Sequence, residues 1–235
     1  MYSQSYLLGL LSAKLTTFLT QSQYLELIQK SKSEITTYLY YLNVVDKKCD
    51  DFESFVSGYQ DALKEEVESY IEDEHPIYIY FFDEYDSKTD HYNKNYEIVT
   101  KIMTSDVVDT IYLINNFKLL YRLNFQTRDV SLFERNFLKQ NIYSFDTLAL
   151  VYKNGKDSLI KFVNEYLQIT INKDMSLIEI DRILNRKIND YIKILSQSES
   201  VNDLIFYYIW MKYRQLEKIK GIYYLGVEDE SDDII

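Results

Sequence analysis

Scarcity of chain breakers constrains this sequence more than any other feature: only 5 glycines and 1 proline punctuate 235 residues. Between them apolar residues recur three or four apart, which is the helical period and not the strand period. The chain is therefore expected to be all-α. Phe52, Phe55, Val56, Tyr59, Leu63, Val67, Tyr70 and Ile71 form one apolar stripe, with Asp61, Lys64, Glu65, Glu66 and Glu68 between them. Leu177, Ile180, Ile183, Leu184, Ile188, Tyr191, Ile192 and Leu195 form another.

Helix starts are expected where a Ser or Asp side chain accepts from an orphan N–H and an acid three residues on bonds back. Ser31 with Glu34, Asp50 with Glu53, Ser131 with Glu134 and Ser176 with Glu179 fit that spacing. Polar joints near residues 20–22, 43–51, 86–90, 124–130, 153–157, 172–176 and 196–203 then divide the chain into about ten to twelve helices. Such helices bury their stripes against one another in multi-helix bundle lobes.

One segment, "PIYIYFF" from Pro76, alternates Ile and Tyr as a strand would. No second strand of similar strength stands nearby, and a lone strand leaves its backbone unpaired. Proline suits the first turn of a helix, where its missing N–H is no loss. Helix is the expectation here too. "YLELIQKSKSEITTYLYYL" at Tyr24–Leu42 is faintly similar to "TLALVYKNGKDSLIKFVNEYL" at Thr147–Leu167, each a helix, a Lys-bearing joint and a second helix. The likeness suggests two related lobes, over residues 1–125 and 126–226, followed by an acidic tail over 227–235. A chance match between two amphipathic hairpins is the alternative.

Charge narrows the partners. Asp and Glu number 37 against 26 Lys and Arg, a formal charge of −11, so nucleic acid and anionic lipid surfaces are repelled and a basic protein surface is favoured. The longest strongly apolar run, Leu204 to Met211, is far short of the ~20 residues of a membrane-spanning helix. With no basic leader at the start and a single cysteine, the expected location is cytoplasmic, with any membrane association peripheral, through partner proteins. Tyrosines, 24 of them, fall mostly on helix stripes and are expected at core edges with wet hydroxyls.

Chemistry is harder to find. Cys49 stands in "DKKCDD", where two acids oppose the thiolate that two lysines favour, so an inert thiol is expected. Phosphate loops, GxSxG elbows and HExxH motifs are absent from the sequence. The stretch "HPIYIYFFDEYDSKTDHYN" holds both histidines, and His75, Asp83, Asp86 and His91 carry donor atoms that suit a divalent metal. Their spacing is the objection: on a helix from Pro76, Asp83 and Glu84 point about 100° apart, and Asp86 and Asp90 straddle a turn. The competing reading is a joint, with acids complementing a helix start. No cofactor and no catalytic activity are expected.

Taken in order along the chain, several motifs resemble the C/d family of V-type (archaeal and vacuolar) ATPase subunits. "AKLTTFLTQSQYLELIQKSKSEITTYLYYL" is similar to the family's opening, on Lys14, Leu15, Leu19, Thr20, Tyr24, Leu27 and Ile28. Two stretches, "DHYNKNYEIV" with Asp90 and Asn93 and "NNFKLLYR" with Asn116, Leu119, Leu120 and Arg122, are similar to its lobe-closing helix. "DLIFYYIWMKYRQLEKIKGIYYLGV" resembles the last core helix and the charged helix after it, on Tyr208, Ile209, Trp210, Lys212, Ile219 and Gly226, though Tyr213 and Gln215 stand where the family tends to have glutamates. This chain is also shorter than the three-lobed family funnel. What the resemblance implies is a mechanical, non-catalytic role: a link between the central stalk and the membrane rotor ring of a rotary ATPase, transmitting torque for ATP-coupled ion transport. Central-stalk and rotor-ring subunits are its implied partners. The alternative is an all-helical regulatory or scaffold module unrelated to ATPases.

Overall fold

Ser, Thr and Asp side chains set most of the helix starts in the computed structural model, which describes residues 3–82, 93, 96, 98–103, 106–126 and 130–226. The helices are α1 (Gln4–Lys14), α2 (Gln21–Ile28), α3 (Lys32–Tyr41), α4 (Phe52–Glu68), α5 (Pro76–Phe82), α6 (Val107–Gln126), α7 (Val130–Asn136), α8 (Phe145–Lys153), α9 (Lys156–Leu167), α10 (Leu177–Ile194) and α11 (Val201–Leu225). A short helical piece covers residues 98–102, and 3₁₀ turns extend α1 and α10. No strand occurs among the described residues, so the protein is all-α.

Two of the four expected starts are built as read. Ser176 Oγ accepts from Glu179 N at 3.2 Å while Glu179 accepts from Ser176 N at 2.7 Å. Glu34 reaches back to Ser31 N at 3.0 Å. The third is displaced by one residue: Asp51, not Asp50, caps α4 by accepting from Ser54 N at 2.7 Å. The fourth is corrected, because Ser131 already lies inside α7. Ser3, Thr20, Ser144 and Ser200 cap four further helices; of these only Thr20, with Gln23, carries the reciprocal partner that the spacing rule seeks.

"PIYIYFF" is helical, as α5, with Pro76 at its first position. The two similar hairpins each form helix, joint and helix, α2–α3 and α8–α9. Their joints differ in construction: Ser31 makes the first, and Gly155 at φ 93° makes the second, a left-handed conformation that a side chain would strain.

Contacts divide the chain into two compact units, and not into the consecutive lobes 1–125 and 126–226. One unit joins Met1–Asp83 with Gln197–Ile235, and the other is Glu84–Ser196. Long-range burial explains the difference. In the first unit Leu216, Ile219 and Ile222 of α11 share one core with Leu19, Tyr24, Leu27, Leu39, Phe52, Phe55 and Tyr59, so the C-terminal helix completes the N-terminal bundle. Each such side chain removed from water stabilises the fold by roughly 1.5–3 kcal/mol. The expected tail over 227–235 lies outside the described residues.

Each unit is organised around one helix buried on most of its surface. In α11 the run from Leu204 to Ile209 is buried without interruption, and its end is set by Gly226 at φ 67°, whose N–H donates to Ile222 O at 2.9 Å. The core and charged helices expected from the sequence are thus one continuous helix of 25 residues. In the second unit Val107, Val108, Ile111 to Ile114, Phe117, Leu120 and Tyr121 bury α6. Against it pack α10, through its Ile180, Leu184, Ile188 and Ile192 stripe, and Phe162 and Tyr166 of α9, which meet the Phe117 ring edge to face. A segment of successive buried residues must be covered on every side, which is why 204–209 of α11 and 107–114 of α6 became centres.

Candidate functional site

Three residues with ionisable heads meet in the first unit, from helices far apart in sequence. Lys14 ends α1, Glu66 lies in the last turn of α4, and Lys212 lies midway along α11. They line a cavity of about 660 Å³ with the 42–46 loop, Tyr59 and Tyr208. Lys14 and Glu66 form an ion pair, with side chains 34% and 22% exposed. Glu66 accepts two further donors: Tyr70 Oη at 2.6 Å and Tyr208 Oη, 2.9 Å from one carboxylate oxygen and 3.0 Å from the other. Burial works against the carboxylate, but the bonds from Lys14, Tyr70 and Tyr208 outweigh it and hold Glu66 below the ordinary glutamate range.

Lys212 is held differently. Its ammonium lies 5.5 Å from the ring centroids of Phe18 and Tyr208 and 5.8 Å from that of Tyr59, a three-sided aromatic cage. It makes no ion pair among the described residues. Burial pushes it below the ordinary lysine range; Glu66 draws it back up, Lys14 adds to the lowering, and Asp46 draws it up again. The cage is itself braced. Tyr59 Oη donates to Lys212 O at 3.0 Å, Gln215 Nε2 donates to Tyr59 Oη at 3.2 Å, and Gln215 Oε1 accepts from Leu19 N at 2.9 Å.

Lys14, Tyr208 and Lys212 are visible in the sequence only as members of motifs, and Glu66 only as a charge between stripe residues. The signal that joins them, one carboxylate serving two tyrosines and a lysine, spans 142 residues between Glu66 and Tyr208.

In the second unit two asparagines clasp one extended segment. Asn93 donates to Phe137 O at 3.0 Å and accepts from Lys139 N at 2.8 Å. Asn116 donates to Leu138 O at 2.8 Å and accepts from Leu138 N at 2.9 Å. An amide side chain offers both donor and acceptor, so each satisfies a backbone pair as a neighbouring strand would. The two stretches read as alternative lobe-closing helices thus act on adjacent residues. Beside them Tyr96 Oη and Asn141 N, the latter at 2.7 Å, both donate to the buried Asp109 carboxylate, at the edge of a second cavity of about 640 Å³.

Of the candidate metal ligands, His75 is half-buried and its Nδ1 accepts from Ile77 N at 3.3 Å, at the start of α5. Burial lowers its pKa, with Glu72 opposing. Asp83, Asp86 and His91 lie outside the described residues, as does Asp90. Among the described residues no group of three or more His, Cys, Asp or Glu side chains converges. Cys49 donates to Lys47 O, and burial, then Asp51 and Asp50, raise its thiol above the ordinary range, which opposes a reactive thiolate.

Some tyrosines sit deeper than the core-edge positions expected of them, Tyr112, Tyr121 and Tyr208 being fully buried, while Tyr6, Tyr41 and Tyr224 are exposed. Part of the acid excess is what admits tyrosine hydroxyls to the fold. Tyr38 donates to Glu26, Tyr78 to Glu68, Tyr96 to Asp109 and Tyr224 to Glu53, besides the two on Glu66. Among the described residues no helix is long and apolar enough to cross a membrane. In comparisons with known proteins, no family model, no curated protein and no solved structure matches the chain.

Proposed function

We propose that this protein is a non-catalytic helical adaptor acting through other proteins, and specifically a link between the central stalk and the membrane rotor ring of a V-type rotary ATPase. One observation supports the reading. The residues that carry the family resemblance at the two ends of the chain belong to one core and one polar cluster: Leu19, Tyr24 and Leu27 share the Ile219 core, and Lys14 lines the same cavity as Tyr208 and Lys212.

In this role the chain's partners would be stalk and ring subunits that bring it to the membrane surface. The net negative charge would favour a basic partner face and raise the encounter rate with it. Co-purification tests the assignment: the tagged chain should retain stalk or ring subunits through size-exclusion chromatography. Recovery of the chain as a lone monomer, from cells whose rotary ATPase assembles and turns over without it, would leave the helical scaffold unrelated to ATPases as the better reading.

A further inference from the structure

We infer that the cavity beside Lys212 binds a small monocarboxylate with an aliphatic body, independently of the assembly proposed above. The charges around it are unequal. Lys14 is neutralised by Glu66, and the Glu66 oxygens are already occupied by Lys14, Tyr70 and Tyr208. Lys212 has three aromatic faces around its ammonium and no ion pair among the described residues. A cation–π cage stabilises an ammonium but accepts none of its N–H bonds in the way a carboxylate does. Its N–H donors therefore have no acceptor among the described residues, at the wall of a cavity of about 660 Å³, a volume in the range of small-molecule sites.

Three other polar groups in the wall are already committed, while Asn43 and Asp46 stand on its exposed side. Tyr59 Oη donates to Lys212 O, Tyr208 Oη to Glu66, and Thr17 Oγ1 to Lys14 O at 2.8 Å. What remains is the Lys212 ammonium, the exposed Asn43 and Asp46 at the 42–46 loop, and the aliphatic surfaces of Leu42, Val44 and Ala62. That combination selects charge and shape together. A single negative charge matches Lys212; a second one, as on phosphate, would stand uncompensated near Glu66 and Asp46, both close enough to act on the Lys212 ammonium. An alkyl body covers the aliphatic wall, which a bare anion leaves wet.

Titration of the purified full chain, followed by nuclear magnetic resonance, tests the site with isocaproate, its neutral amide, acetate and inorganic phosphate. Isocaproate should bind saturably, shifting the amides of residues 42–46 and 208–215, and about tenfold more tightly than the other three. Lys212→Met keeps the cage filled, since a thioether packs well on aromatic rings, and should weaken isocaproate about tenfold with the melting profile retained. Val44→Glu, at the half-buried lip, should weaken it as much by charge alone and decides the matter if Lys212→Met does not fold. No saturable binding of isocaproate, equal binding of the amide or of phosphate, or undiminished affinity in the folded variants would each overturn the site.

Discussion

Glu66 carries more than any other single side chain in the first unit. Its three donors come from α1, from the turn after α4 and from α11, so its ionised form couples helices that are distant in sequence. Removing the charge while keeping the shape, as in Glu66→Gln, should cost roughly 1.5–3 kcal/mol at neutral pH, the range for a hydrogen bond to a charged group. The pH dependence has a definite sign. A carboxyl held below its unfolded value stabilises the fold above the ordinary glutamate range, and that contribution is lost as pH falls through the depressed value. Denaturant titrations from pH 7 to pH 3 should therefore show a shallower acid loss in Glu66→Gln than in the wild type; parallel curves would remove Glu66 from this role. None of this is legible in the sequence, where Glu66 is one acid among six charged residues of an amphipathic helix. Its partners are fixed by tertiary packing, and local spacing carries no trace of them.

Helices are more legible than their contacts. Reciprocal Ser and Glu bonding needs only a spacing of three, so the starts at Ser31 and Ser176 can be read directly. The shift from Asp50 to Asp51 follows from the same chemistry, because two adjacent aspartates offer equivalent caps and only the backbone φ and ψ choose between them. Stripes also read true: Ile180, Leu184, Ile188 and Ile192 are buried, while Ile178 and Ile194, outside the stripe, are 66% and 58% exposed. The asparagine clasps are invisible, since Asn93 meets its partners 44 and 46 residues away. At α10 the cap gives a clean test. Ser176→Ala removes the acceptor for Glu179 N and should destabilise the second unit by about 1 kcal/mol. Thermal unfolding of the variant should shift down by a few degrees, with α10 amides exchanging faster near Glu179; an unchanged melting point would show that the cap adds nothing beyond solvent.

For the whole molecule, the order of the chain and the order of the core disagree. Hairpin likeness and polar joints suggest consecutive lobes because they are local signals, whereas a core shared between residues 19–59 and 216–222 is not. A fragment of residues 1–125 should therefore lack a stable N-terminal unit, having lost Leu216, Ile219 and Ile222, although it retains every helix-forming signal of that region. Its amide spectrum should be collapsed where the intact chain is dispersed; a dispersed spectrum would show that α11 is dispensable. Tyrosine sets a second global limit. Burial, aided by Glu66, raises Tyr208; burial alone raises Tyr121, and with Asp109 it raises Tyr96. Groups raised above their unfolded values stabilise the fold below the ordinary tyrosine range, near about pH 10, and lose that contribution as pH rises further. Stability should fall as pH rises above about 10, and the buried tyrosines should ionise only as the fold is lost. Tyrosinate absorbance that reached its full value before any unfolding would contradict the burial.

Because α11 closes the N-terminal bundle, synthesis on the ribosome imposes a wait. The first 83 residues leave the exit tunnel long before Leu216 to Ile222 are made, so Leu27, Leu39 and Phe55 have no permanent cover during most of translation. Glu84–Ser196 is contiguous and has no such delay. The nascent chain is thus exposed to chaperones, and to any premature stop, over residues 1–83 and not over 84–196, and α11 is the helix that ends that exposure.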